Sequence, residues 1–408
     1  MIDNKEILEK MDVRRNVWDV VEYVNDIFAK ALQRGASDIH IEPTEFFLLV
    51  RFRQDWDFFI VDKLDRENIS PIITRLKVLS KVKIDENKKP QDWKIVYLDK
   101  TDGKNIDIRV STLPTSYGEK IVMRILKPDA SLTSIDKLWF IDVNLERVRT
   151  ALKSSYWIIL VAWPTVSWKS TTLFGVLKNF NPLEFNISTL EDPIEYNIEY
   201  VNQSQVKPDI WFTFSTWLRS LVRQDPDIIM VWEIRDKETA VLAVEAALTW
   251  HLVLSTIHTN SATATVQRLI NMGVETFLLS SSMRMVISQR LVRKICQNCK
   301  KEKVLSDTLL KRVREFLYPI MDKKEVDGLV FYEWVWCDKC NWSWHKWRLW
   351  IHEVLIVEQY LEEMILNKAS ANEMTELAVK HWMITILQDS LIKAAMWLVT
   401  VEESLQLI

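Results

Sequence analysis

The chain has 408 residues, 48% of them apolar and 27% charged, with a net charge of −3. That length allows roughly two to four domains with their own cores, and the charge argues against a protein that coats nucleic acid. No apolar run approaches the ~18 residues of a transmembrane helix, and the charged start, MIDNKEILEKMDVRR, lacks a signal-peptide core, so the expected location is the cytoplasm.

In chain order, residues 1–16 read as an extension and 17–130 as a small α/β domain. The stretch 19–32 is apolar at helical spacing. "SDIHIEP", "FFLLVRFRQD" and "WKIVYLD" are strand candidates bounded by turn signals, and "IDIRVSTLPT" with "EKIVMRILKP" predicts a hairpin turning at "SYGE". Residues 131–290 alternate strand and helix: "WIILVAW", "KSTTLFGVLKNF", "FNISTLED", "DIIMVWE", "KETAVLAVEAALT" and "HLVLSTIHT". That alternation predicts an α/β fold with a largely parallel sheet. Residues 291–350 hold all four cysteines, and 351–408 read as a helical region with Ser370 or Asn372 as a cap.

One pair of counts is abnormal, 19 Trp against 6 Gly. Glycine at its usual ~7% would number about 28. Many tryptophans sit where turns want glycine, as in "RQDWDFF", "PQDWKI" and "CNWSWHKWRLW". Trp-rich loops also occur in modules that stack on sugars or single-stranded bases, and a catalytically dead relative of an ATPase is a further reading. The sharpest reading is one of codons. UGA means tryptophan in one variant genetic code and glycine in another, so a gene using UGA for glycine and translated with the other table yields this pattern.

Residues 161–172 carry the chemistry. With glycine at positions 163 and 168, the stretch Trp163, Pro164, Thr165, Val166, Ser167, Trp168, Lys169, Ser170, Thr171 fits G-x-x-x-x-G-K-[ST] between a strand and a helix. Backbone N–H groups there cradle the phosphates of ATP, Lys169 reaches the β- and γ-phosphates, and Ser170 ligates Mg²⁺. An indole at either end would fill the phosphate site. "DIIMVWE" then places Glu233 at a strand end, where an acid ligates Mg²⁺ through water or orients the attacking water.

Cys296 and Cys299, then Cys337 and Cys340, form two C-x-x-C pairs with none left over. Two such pairs complete a tetrahedral structural Zn²⁺ site, and in a cytoplasmic protein this is favoured over two disulfides.

"GASDIHIEP", "EDPIEY", "LRSLVRQDPDIIMVWEIRD", "HLVLSTIHTN" and the four cysteines together resemble the secretion ATPase superfamily, closest to the assembly ATPases of type II secretion and type IV pili. The resemblance covers nearly all of the chain from about residue 30. Eighteen of the nineteen tryptophans fall at family glycine positions, Trp18 being the exception. Val166 departs from a usual family glycine, and the extra N-terminal domain of longer relatives is not seen. The resemblance implies a RecA-like P-loop domain, a PAS-like N-terminal α/β domain and a zinc-binding plus helical C-terminal region. It implies an acidic box at Glu191 and Glu195, a catalytic Glu233, a γ-phosphate sensor at His258, and arginines Arg109 and Arg124 reaching the γ-phosphate across a domain or subunit border. Arg219 and Arg223 are further candidates or plain ion-pair partners. The implied protein is an ATP-driven assembly motor, a homohexamer peripheral to the membrane that meets an inner-membrane platform protein and no nucleic acid directly. A retraction ATPase of the same superfamily and a non-catalytic scaffold are the alternatives.

Overall fold

Asp19 opens helix α1 (Val20–Arg34): its carboxylate accepts from the N–H groups of Val21 and Glu22, and Gly35 at φ 71° stops the helix. The computed structural model describes residues 11–14, 19–54, 57–99, 103, 105–126, 134–153, 156–162, 169–194, 197–207, 212–335, 337 and 348–407. The chain divides into two units, 1–129 and 130–408.

The first unit has six strands: β1 (Asp38–Pro43), β2 (Phe47–Gln54), β3 (Asp57–Asp65), β4 (Gln91–Leu98), β5 (Asn105–Thr115) and β6 (Gly118–Leu126). They lie in the order β3-β2-β1-β6-β5-β4, every neighbouring pair antiparallel. Val24, Ile27 and Phe28 of α1 join Ile72 and Leu76 of α2 (Ile69–Ser80) and Ile39, Ile41, Ile108 and Val110 of the sheet in one core. The period of two places Arg109 on the opposite, exposed face between buried Ile108 and Val110.

The second unit is a parallel α/β layer, in line with the alternating pattern. Its strands β7 (Trp157–Ala162), β8 (Ile187–Glu191), β9 (Asn202–Gln205), β10 (Ile228–Val231), β11 (Leu252–Ile257) and β12 (Met283–Arg293) pair in parallel. A short antiparallel pair, β13 (Lys300–Lys303) with β14 (Phe331–Trp334), separated in sequence by two helices, forms a sheet of its own. The sheet order is β15-β12-β7-β11-β10-β8-β9, with β15 (Arg348–Ile356) antiparallel to β12. The central strands are buried along their length, as parallel strands covered on both faces must be. The helices are α3 (Asp142–Leu152), α4 (Lys169–Leu177), α5 (Phe214–Leu221), α6 (Lys237–Leu248), α7 (Ala262–Asn271), α8 (Thr276–Ser282), α9 (Asp307–Leu317), α10 (Lys323–Asp327), α11 (Gln359–Leu366), α12 (Ala371–Lys380), α13 (Ile386–Ala395) and α14 (Val401–Leu405).

Residues 351–356, expected in the helical region, instead complete β15. Two polar residues hide that strand in the sequence. His352 and Glu353 are buried, with Glu353 accepting from the N–H of Ala262 at 2.7 Å and of Ile386 at 3.4 Å. Among the described residues no helix is long and apolar enough to cross a membrane.

Candidate active site

β7 ends at Ala162 and α4 starts at Lys169. The expected phosphate loop, Trp163 to Trp168, lies between them and outside the described residues, and so does Glu195. The frame is in place: a buried strand feeds a helix at the carboxyl edge of a parallel sheet, where open α/β sheets bind ligands. Thr171 and Thr172 of α4 are buried, and Thr172 hydrogen-bonds Gln289 of β12.

β10 and β8, farther along the same sheet, deliver the acids to that edge. Glu191 closes β8 fully buried, accepting from the Thr189 hydroxyl at 2.6 Å and the Gln203 amide at 2.8 Å. Glu233 lies two residues beyond β10 and is 3% exposed. The Trp232 N–H donates to the Leu190 carbonyl at 2.8 Å and the Ile234 N–H to the Thr256 carbonyl at 2.9 Å, so both flanking strands hold this segment. The Glu233 carboxylate is 3.0 Å from His258 Nε2 and 2.9 Å from the Arg235 guanidinium. Arg235 also reaches Asp192 at 3.4 Å, and the hydrogen bond it donates to Glu233 raises its pKa, which secures its charge.

Glu233 and His258, expected in one site, therefore touch, and Glu191 ends the adjacent strand. Sequence reasoning misses Arg235, although its spacing of two from Glu233 puts both on one side of an extended segment. Arg219 pairs with Glu238 at 2.8 Å, which supports the ion-pair reading for it, while Arg223 donates to the Arg219 backbone carbonyl at 2.8 Å.

Arg109 and Arg124 belong to the first unit. They are register partners across β5 and β6, in a row that runs Lys94, Arg109, Arg124, Asp38, Arg53 from β4 to β2. Asp38 accepts from Arg124 Nε at 2.9 Å and leaves Arg124 57% exposed. Lys94 pairs with Asp107 at 2.8 Å, so the row is partly neutralised at β4 as well as through Asp38.

The antiparallel β13–β14 pairing brings the cysteine pairs together. The sulfurs of Cys296, Cys299 and Cys337 lie within 4.8 Å of one another, and those of Cys296 and Cys337 are 4.0 Å apart. Zn–S bonds of ~2.3 Å in a tetrahedron need sulfurs about 3.8 Å apart, whereas a disulfide needs ~2.05 Å. The three thiols fit a metal; Cys340 lies outside the described residues.

A profile of the family described as "Type II/IV secretion system protein" matches residues 15–406. The chain is 40% identical over 400 residues to the Type II secretion system ATPase E of Vibrio cholerae, covering 98% of this chain and 76% of that one. It is 42% identical over 385 residues to the Type IV pilus assembly ATPase PilB of Pseudomonas aeruginosa, covering 94% and 66%, and 40% identical over 384 residues to that of Thermus thermophilus, covering 94% and 42%. Its fold is similar to a crystal structure of the pilus retraction motor PilT with ADP, at a TM-score of 0.67, 24% identity and coverage of 94% and 96%. With the acid-and-histidine edge of the sheet and nearly the whole sequence in agreement, the chain belongs to the type II/IV secretion system protein family.

Proposed function

We propose that this ATPase converts ATP hydrolysis into assembly of a type IV pilus or of a type II secretion pseudopilus. The observation that carries the reading is the Glu233–His258 contact at 3.0 Å, at the carboxyl edge of β10 and β11, with β11 next to β7. A buried carboxylate with fixed donors can still accept from an attacking water, because a carboxylate offers about four lone-pair sites. Next to it, His258 presents a polar ring where a terminal phosphate would lie.

In this reading the backbone of residues 163–168 and the Lys169 side chain hold the triphosphate. Ser170 ligates Mg²⁺, Thr171 supports the loop, and Glu191 and Glu195 form the acidic surround of the metal. Arg109 and Arg124 neutralise charge that develops on the transferred phosphoryl group. Cys296, Cys299, Cys337 and Cys340 hold a structural Zn²⁺, which supplies a fold-locking crosslink and no open coordination position. The working assembly is a homohexamer with sites shared between neighbours, at the cytoplasmic face of the membrane against a platform protein. Relatives at about 40% identity named for pilus assembly and type II secretion favour assembly over retraction.

Lys169→Ala tests the reading at its base. ATP binding by the source-cell protein is expected to fall at least a hundredfold in a fluorescent-nucleotide titration. Unchanged affinity would move the nucleotide away from this loop.

A further inference from the structure

Seven helices stop with a residue in the left-handed region, and at five of those stops the residue is Gly or Trp. At the end of α1, Gly35 has φ 71°, its N–H meets the Leu32 carbonyl at 3.0 Å and the Ala36 N–H meets Ala31 at 2.9 Å. At the end of α7, Gly273 has φ 88°, with Gly273 to Ile270 at 2.9 Å and Val274 to Leu269 at 3.1 Å. After α12 the same pair of bonds runs from Trp382 to Val379 at 3.0 Å and from Met383 to Ala378 at 2.9 Å, with Trp382 at φ 67°. After α13 it runs from Trp397 to Ala394 and from Leu398 to Lys393, both at 3.0 Å, with Trp397 at φ 63°. After α6, Trp250 has φ 72° and the His251 N–H reaches Ala246 at 3.3 Å.

This motif calls for glycine, because a side chain in the left-handed region crowds the following carbonyl. Lys81 and Lys368 show that the chain tolerates exceptions. The tryptophans are too many to be exceptions. Among the described residues, nine non-glycine residues have positive φ, and five of them are Trp139, Trp157, Trp250, Trp382 and Trp397. Nor does burial compensate: Trp250 is 72% and Trp382 66% exposed. Trp217 and Trp350, which are partly buried, leave their indole N–H groups without a hydrogen-bond partner among the described residues, against the habit of buried tryptophan.

We infer that the functional chain carries glycine at positions 139, 250, 382 and 397, and that the same codon, UGA read as glycine, underlies the tryptophans at 163 and 168. The first part rests on backbone geometry alone. The second rests on the ATPase reading above.

Tryptic peptides of the protein from its source cells decide between the two letters. The peptides 381–393 and 394–408 report on positions 382 and 397, and 154–169 reports on 163 and 168. Each is expected to be lighter by the tryptophan-to-glycine difference at every such site. Tryptophan masses in the two C-terminal peptides would overturn the inference. Glycine there with tryptophan at 163 and 168 would keep the first part and overturn its extension to the loop, and with it the nucleotide site. In parallel, Trp382→Gly and Trp397→Gly in the chain as written are expected to raise its melting temperature by several degrees. A fall in both would overturn the argument from φ.

Discussion

Glu233 shows how a residue's role is set by what surrounds it. The four apolar residues before it make its strand legible, and the acid at the end of a buried run marks it as a site candidate. Its partners depend on sheet order. His258 follows β11, and only the adjacency of β10 and β11 brings it to the carboxylate. His352 is a second case and carries a pH dependence. It is fully buried against Phe140 at a ring distance of 3.8 Å, and burial, with the Lys393 cation second, holds its pKa well below the ordinary 6.5. The folded state therefore keeps it neutral while the unfolded chain takes a proton as the pH falls through 6.5. Stability is full above that value and is expected to fall below it by up to about 1.4 kcal/mol per pH unit. Glu353 and Asp389 are held above their ordinary values, chiefly by burial, and offset the loss at lower pH as they take up protons in the fold. Urea denaturation at stepped pH checks this: His352→Leu should flatten the slope just below 6.5, and an unchanged slope would assign it to other groups.

At the scale of elements, the long periodic segments are legible in the sequence and the strands interrupted by polar residues are not. The β5–β6 hairpin, β7, β10, β11 and α6 follow from apolar alternation or apolar runs bounded by turns. β15 escapes because His352 and Glu353 break its apolar pattern, and what makes them tolerable inside comes from distant residues. Glu353 caps α7 and α13 at once, through Ala262 and Ile386. Arg290 donates to the Asn260 carbonyl at 3.3 Å and to the Leu407 carbonyl at 2.7 Å, tying the same segment after His258 to the chain end. Glu353→Ala strands two buried N–H groups and is expected to cost about 3 kcal/mol in denaturant unfolding. A loss under about 0.5 kcal/mol, the range of an ordinary surface change, would show that the cap carries little.

At the scale of the molecule, the anomaly lies in the composition itself. The counts of 19 Trp and 6 Gly are plain from the sequence, and the fold adds the left-handed backbone under several of those indoles. The cysteine spacing is equally legible, since C-x-x-C is a local turn, while the long-range pairing of β13 with β14 that joins the two pairs is not. Elemental analysis of purified protein is expected to find one zinc per chain, and Cys296→Ser is expected to lose it and lower the melting temperature. Full zinc retention in that variant would place the metal elsewhere.

The most direct test of the motor reading is steady-state ATP turnover by the chain made with glycine in place of tryptophan at every position except Trp18, beside the same chain carrying Glu233→Gln. Turnover in the first, at least a hundredfold loss in the second and nucleotide binding retained by both is the expected result. Equal turnover in the two chains, or none in either despite correct folding, would contradict the assignment of Glu233 and of this sheet edge as the site of hydrolysis.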